Sequence, residues 1–320
     1  MTSHAMQNNV QTELNNSPLL QAIERYLVFM QAEENKSPLT VMNYKRSLAL
    51  VAKLISVNDP ISIDKMVVRD LKAKLASYNM RNGALLTIST RNHHLTVLRA
   101  FLRYLLQDEE LEVYSPDRIK RFKEQEHQVK VLYKEDLNRL LASPDLETKM
   151  GKRDSAILHL FFSTGLRLSE LSKLNIKDLN FDTREISVRG KRGKIRVVFL
   201  SDTSVDSLKN YINCRLDHLA PLFIRNIDNA VLEMPPGEIF RFSDNGIYKM
   251  VKKYALQAGI VSDPSPHTLR HSFATNLLQN GADLRSVQEL LGHKDLSTTQ
   301  IYTHVTNPQL KDVHEKFHGI

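Results

Sequence analysis

A mainly α-helical fold with one small antiparallel β-sheet is what this sequence of 320 residues predicts. Three observations point there. Apolar residues recur at helical spacing through most of the chain. Ser-Pro pairs that open helices alternate with Asn, Asp, Gly and Pro breaks. Only the stretch from Glu185 to Leu200, two alternating runs around Gly190-Lys191-Arg192-Gly193, reads as a hairpin.

In order, residues 1–16 are polar, rich in Asn and Gln, and read as a disordered lead. Ser17-Pro18 caps a first helix with Leu20, Ile23, Leu27 and Met30 on one stripe. Ser37-Pro38 opens a second, with Val41, Tyr44, Leu48 and Val51 facing inward. A break at Asn58-Asp59-Pro60 precedes a third, about Asp64 to Tyr78, packing Val67, Leu71 and Leu75. After Asn82-Gly83 a fourth runs from about Ser89 to Gln107, with Leu95, Leu98, Phe101, Leu102 and Leu105 for the core. Four helices over residues 17–110 make a compact bundle. Its Arg91, Arg99 and Arg103 are free to point elsewhere.

Across 111–130 the apolar pattern lapses into a charged stretch, read as an interdomain linker, extended or partly helical. A second domain fills 131–320. Its helices are expected at Lys134 to Leu141, Gly151 to Ser163, Asp202 to His218, Asp244 to Gln257, His267 to Gln279, Asp283 to Leu291 and Ser297 to Tyr302. Residues 225–242, with Pro235-Pro236-Gly237, read as a surface loop, and Pro308 to Phe317 as a last helix with an apolar stripe.

Composition narrows the function classes. The net charge of +8 favours a polyanionic partner, a nucleic acid or an anionic surface. No apolar run approaches the roughly 18 residues of a membrane span, and Met1 to Asn16 lacks the apolar core of a signal peptide. The single cysteine, Cys214, excludes an internal disulfide framework and suits a reducing compartment. A cytoplasmic, DNA-associated protein with no membrane partner is expected. Lys45, Arg46, Arg91 and Arg99 are the candidates for phosphate contact from the bundle, although any one of them fits a solvated helix face.

Six residues stand out for chemistry: Arg167, Lys191, His267, Arg270, His293 and Tyr302. His267 and Arg270 lie one turn apart on a helix opened by Pro264 and Pro266, so both can reach one anionic group. His267 and His271 at i, i+4 could suggest a metal pair, but no glutamate lies between them, so no metal and no other cofactor is expected. The set suits attack on a phosphodiester. Two arginines neutralise the extra charge of a phosphorane-like transition state. A cation at a hairpin tip can protonate a leaving 5′-hydroxyl, and a histidine can relieve a tyrosine of its proton. A tyrosine nucleophile stores the bond energy covalently, so rejoining needs no ATP.

Thr164-Gly165-Leu166-Arg167-Leu168-Ser169-Glu170-Leu171 resembles the first arginine box of the tyrosine recombinases, the phage-integrase-like family. Pro266 to Thr275 resembles the second, and Gln288 to His293 followed by Ser297 to Val305 the third. Ser37, Thr40, Tyr44, Leu48, Arg91, Leu95, Arg99, Phe101 and Tyr104 resemble the core-binding helices, with Xer-type recombinases the nearest relatives. The resemblance implies a core-binding helical domain followed by a catalytic domain, clamping double-stranded DNA at an inverted-repeat core site. It implies that Arg167 and Arg270 hold the scissile phosphate, with Lys191 as general acid and His267 as general base. His293 hydrogen-bonds the phosphate, Tyr302 forms a 3′-phosphotyrosyl link, and Glu170 supports the site. It also implies a homo-oligomer, a dimer on one site and a tetramer in synapsis, exchanging strands through a Holliday junction, with an accessory protein as an option. The terminal helix would dock on a neighbouring protomer.

Departures matter as well. The hairpin reads Gly190-Lys191-Arg192-Gly193 where the family has Gly-Lys-Gly, which makes Lys194 a rival acid. The longer 225–242 loop and charged linker suit a mobile element's recombinase as well as chromosome dimer resolution. A type IB topoisomerase-like relaxation of DNA and a catalytically silent architectural protein are the alternatives.

Overall fold

A computed structural model describes residues 17–80, 82–124, 130–190, 195–225 and 237–292. The chain divides into two compact units, Met1–His127 and Gln128–Ile320. Among the described residues no helix is long and apolar enough to cross a membrane.

Each helix of the first unit begins on a residue whose side-chain oxygen accepts an otherwise unpaired backbone N–H. Ser17 caps α1 (Pro18–Ala32), Ser37 caps α2 (Pro38–Leu54), Asp64 caps α3 (Lys65–Ser77) and Thr87 caps α4 (Ile88–Gln107). Proline at the first position of α1 and α2 lacks the donor that a helix start leaves idle. The core is built from Ile23, Tyr26, Met30, Leu48, Leu71, Leu75, Leu98 and Phe101 with their neighbours. Leu19 and Val68 take the innermost places expected of Leu20 and Val67. At about 100° per residue they lie nearer the centre of their stripes.

The stretch after α4, read as a linker that is extended or partly helical, contains a 3-10 turn at Pro116–Arg118 and packs on the bundle. Pro116 and Ile119 are buried, and Tyr114 and Phe122 pack against the bundle core. Asn92, buried on α4, holds both backbone groups of Phe122: its Oδ1 accepts from the N–H at 2.7 Å and its Nδ2 donates to the C=O at 3.0 Å. The same Nδ2 donates to Glu124 at 2.6 Å, and Lys72 Nζ donates to the Lys120 carbonyl at 3.1 Å. These polar clasps, absent from any hydrophobic periodicity, fix residues 111–124 on the bundle.

In the second unit α6 (Lys149–Thr164) is the central element, with Ile157, Leu158, Leu160 and Phe161 wholly buried. Around it lie α5 (Lys134–Ala142), the short α7 (Leu168–Leu171), α8 (Asp202–Asn213), α9 (Asp244–Gln257), α10 (Pro266–Gln279) and α11 (Leu284–Leu291). The sheet is antiparallel in the order β1-β2-β3: β1 (Leu179–Asn180), β2 (Glu185–Arg189) and β3 (Ile195–Phe199). Ile186 faces Val198 and Val188 faces Arg196 in the β2–β3 register. The two-residue β1 is too short to leave a sequence pattern.

Helix α8 stops at Asn213 and not near His218 as its sequence suggests. The buried Arg215 guanidinium donates to the carbonyls of Pro221 at 2.7 Å and Leu222 at 2.9 Å and pairs with Asp217. Those acceptors can converge on one side chain only where the chain turns. The surface loop read at 225–242 is likewise anchored at its described ends. Phe242 N–H donates to Phe223 at 2.8 Å and Arg225 N–H to Phe240 at 2.7 Å, while Arg241 donates to the Ser172 and Leu174 carbonyls. Residues 226–236 and the expected helices at 297–302 and 308–317 lie outside the described residues.

Asn92→Ala should lower stability by about 1 kcal/mol, since Phe122 would keep a half-buried donor and acceptor without protein partners. Urea unfolding measures the loss. Limited trypsin digestion should also cut faster at Arg118, Lys120, Arg121 and Lys123. Unchanged digestion would mean that the asparagine does not hold this segment.

Candidate active site

The site is assembled where three helix ends of the second unit meet. Helix α6 ends at Gly165, in the left-handed conformation with φ 60°, which lets its N–H close on the Phe161 carbonyl at 2.9 Å. A Cβ on Gly165 would come within 2.3 Å of the Phe273 ring, so a glycine is required there twice over. Helix α11 ends in the same way at Gly292, with φ 64°. Helix α10 starts at Ser265, whose side chain accepts from Thr268 N–H while Thr268 returns the bond, and Pro266 takes the first position. That start sets His267 and Arg270 one turn apart, as expected.

Arg270 is 4% exposed, and its guanidinium donates to the carbonyls of Gly165 and, at 2.7 Å, Leu291. Arg167 caps α7. Its own N–H donates to Glu170 Oε2 at 2.9 Å, Nη1 donates to Glu170 Oε1 at 2.9 Å, and Nη2 reaches the Gly292 carbonyl at 3.2 Å. Neighbouring carbonyls at the end of α11 therefore receive one arginine each, which draws both cations to the same helix end.

Glu170 accepts twice from Arg167, but the other half of its bonding comes from a residue that sequence reading passed over. Arg196 on β3 donates from Nη1 and Nη2 to both carboxylate oxygens, at 2.9 and 2.8 Å. Burial alone would push the Glu170 carboxyl up. The Arg196 hydrogen bonds, then those of Arg167, outweigh it and hold the pKa at about 2. Counting Arg167, Arg196 and Arg270 against Glu170, the cluster carries two net positive charges, as an anion site requires. The signal for Arg196 was its position in phase with buried Val198, on a face where a lone cation needs a partner.

His267 is exposed, and its imidazolium is disfavoured by desolvation and then by the cations of Arg270 and Arg167. Both effects favour the neutral imidazole, the form that can accept a proton. His271 is half-buried and is pushed down to about 4 by desolvation, His267 and Arg270. Among the described residues no group of three His, Cys, Asp or Glu could hold a metal ion. Arg167, Glu170, His267 and Arg270 are thus brought together, whereas Lys191, Lys194, His293 and Tyr302 lie outside the described residues.

In the first unit, Lys45 is exposed and pairs with Glu24 at 2.9 Å, and Arg46 is exposed. Arg91 lies 5.9 Å from the Phe122 ring centre, and Arg99 bonds Asp117 at 3.2 Å with Arg103 beside it at 3.3 Å. The arginines read as free to point elsewhere are engaged by the 111–124 segment, whose fold on the bundle the sequence did not disclose.

The depressed Glu170 carboxyl makes a pH prediction. Its ionised form is favoured in the folded state, so its contribution is whole above the unfolded value near 4.5 and is lost as pH falls toward about 2. The shift corresponds to a stabilisation on the order of 3 kcal/mol. Glu170→Gln should be less stable at pH 7 and should flatten the acid limb of a stability–pH profile between those values. A deficit that persisted undiminished to pH 2 would contradict the assignment.

Comparison with known proteins places the chain in a family. Residues 130–308 match the model of the phage integrase family, and residues 23–109 match that of the phage integrase N-terminal SAM-like domain. Tyrosine recombinase XerD of Oceanobacillus iheyensis is 36% identical over 304 residues, covering 93% of this chain and 98% of the relative. Tyrosine recombinase XerC of Pelotomaculum thermopropionicum is 36% identical, covering 92% and 97%. Among solved structures, XerH site-specific recombinase bound to a palindromic difH substrate superposes with a TM-score of 0.66 at 25% identity, over 89% of this chain and 82% of that one. The Tn1549 transposon integrase with transposon right-end DNA shares the fold, with a TM-score of 0.68 at 19% identity over 94% and 100%. With family models across both units and likeness at 36% identity along almost its whole length, the chain belongs to the phage integrase family and is a tyrosine recombinase.

Proposed function

We infer that this enzyme performs site-specific recombination of double-stranded DNA by tyrosine-mediated cleavage and rejoining. The observation that carries the reading is the pair Arg167 and Arg270, each held by a carbonyl at the end of α11, beside a histidine whose imidazolium form is disfavoured. Guanidiniums held at backbone carbonyls have a set direction, which suits the nonbridging oxygens of one phosphate.

In the proposed reaction the Tyr302 hydroxyl oxygen bonds to phosphorus and its proton passes to His267. The bond from phosphorus to the 5′-oxygen breaks, and Lys191, with Lys194 as its rival, gives that oxygen a proton. His293 donates a hydrogen bond to the pentacovalent phosphate. The product is a 3′-phosphotyrosyl link and a free 5′-hydroxyl, and the same steps in reverse rejoin strands. The arginines supply the positive charge and the covalent link keeps the bond energy, so exchange proceeds in chelator and without ATP.

The bundle of residues 17–110 serves as the core-binding domain and 131–320 as the catalytic domain, and the net charge of +8 favours the polyanionic partner. XerH in its solved complex holds a palindromic substrate, which supports an inverted-repeat site bound by two copies, and a tetramer in synapsis is proposed with it. Resolution of chromosome dimers and movement of a mobile element are both occasions for this chemistry. Lys45, Arg46, Arg91 and Arg99 are proposed phosphate contacts.

The test is Tyr302→Phe with a nicked suicide substrate built from the site recovered by selection on randomised duplexes. The wild type should trap a detergent-resistant adduct, and the variant should bind the site and trap none. Equal adduct from the variant would place the nucleophile elsewhere. Lys191→Ala should cleave ordinary DNA at least 100-fold more slowly, the upper span of general acid catalysis being about 10⁴-fold. A 5′-bridging phosphorothiolate should restore it, because a thiolate leaves without a proton. Restoration of Lys194→Ala instead would move the acid to that residue.

A further inference from the structure

We propose that Arg196 is a positioning residue of the strand-cleavage reaction, holding the phosphate-binding Arg167 in place through a two-pronged grip on Glu170. The proposal rests on the recombinase reading of the same site and assigns a role to a residue outside the six that carry the chemistry.

The geometry argues for more than a surface ion pair. Arg196 and Glu170 side chains are 17% and 7% exposed, and each Arg196 Nη takes one carboxylate oxygen, at 2.9 and 2.8 Å. The same two oxygens accept from Arg167, Oε1 from its Nη1 and Oε2 from its backbone N–H. Glu170 is therefore clamped between two arginines, and its orientation dictates where the Arg167 guanidinium sits. A planar fork matches a carboxylate in a way that a single ammonium cannot.

A second contact ties Arg196 to the opposite side of Arg167. A Cβ on Gly292 would fall 3.1 Å from Arg196 Cδ and 3.2 Å from its Cζ and Nε. The Arg196 side chain thus lies flat against the residue whose carbonyl receives Arg167 Nη2 at 3.2 Å. Both anchors of Arg167, the carboxylate and the carbonyl, rest on Arg196. The strand that bears it is the return strand of the 190–194 hairpin, so one side chain links that strand to α7 and to the end of α11.

Removing the grip should leave the DNA footprint almost untouched while loosening Arg167 against the nonbridging oxygens. Partners of this kind, one bond behind the acting group, change activity roughly 10- to 100-fold when lost. The experiment compares wild type, Arg196→Met and Arg196→Lys for site affinity and for single-turnover adduct formation on the nicked substrate. Arg196→Met should cleave roughly 10- to 100-fold more slowly with affinity within about 3-fold of wild type. Arg196→Lys should recover part of the rate. The same Arg196→Met defect should shrink on a scissile methylphosphonate, whose missing charge needs less from Arg167; a merely structural loss would not respond to that change.

In the double variant with Glu170→Gln the losses should not multiply, since both act on one guanidinium. Should Arg196→Met fail to fold, Arg196→Lys carries the same comparison of rate against affinity. Wild-type cleavage with an equal rate in the folded Arg196 variants overturns the proposal, as does a defect unmoved by the methylphosphonate. A wild type that forms no adduct on its selected site overturns the recombinase reading instead.

Discussion

One carboxylate makes the cationic end of this molecule possible. Arg167, Arg196 and Arg270 are gathered at the ends of α7, β3 and α10, and like charges at such spacing oppose one another in a poorly hydrated setting. Glu170 offsets this by accepting four hydrogen bonds from two of the three. It does not cancel the charge. The residual charge stays on guanidiniums whose directions are fixed, which is the condition for binding a phosphate whose own charge grows during reaction.

Helix ends supply the rest of the compensation. The carbonyls at the C-terminal ends of α6 and α11 carry the negative pole of each helix and have no partners within it. Gly165 and Leu291 give theirs to Arg270, and Gly292 gives its own to Arg167. Both helices reach this ending through a glycine with positive φ. The turn that terminates the helix is therefore also what aims its last carbonyl at an arginine of the candidate site. A side chain on either glycine would meet a neighbour before it met solvent, the Phe273 ring in one case and Arg196 in the other.

Much of this architecture is legible in the residues, and what is not has a common cause. Ser17-Pro18, Ser37-Pro38 and Ser265-Pro266 mark helix starts because capping and proline chemistry are local. The apolar phase of α4 and α6 marks the cores because burial repeats with the helix. The features that escape are held by single polar side chains whose partners follow no helical or strand period. Asn92 clasps Phe122, thirty residues away, and Arg215 gathers the carbonyls of a turn that ends α8 early. Arg196 was hidden for the same reason, being defined by Glu170 twenty-six residues earlier. Arg167 and Arg270 were visible through their motif, but the carbonyls that hold them were not. No periodicity encodes a hydrogen bond between distant loops.

The distribution of ion pairs over the molecule follows a physical division of labour. Lys45–Glu24 and the Arg99–Asp117–Arg103 group are exposed on at least one side, and such pairs contribute only about 0–1 kcal/mol. A phosphate group can replace either carboxylate at little cost, so these cations are held in reserve rather than committed. The Arg196–Glu170–Arg167 chain is of the other kind. Its carboxylate is 7% exposed, and losing one partner would strand a charge where water cannot reach it. Under the proposed function, an incoming DNA strand would exchange the surface pairs of the bundle while the buried chain of the second unit stayed fixed. The two sets of cations differ chiefly in how much solvent their counter-charges see, which makes the first set exchangeable and the second fixed.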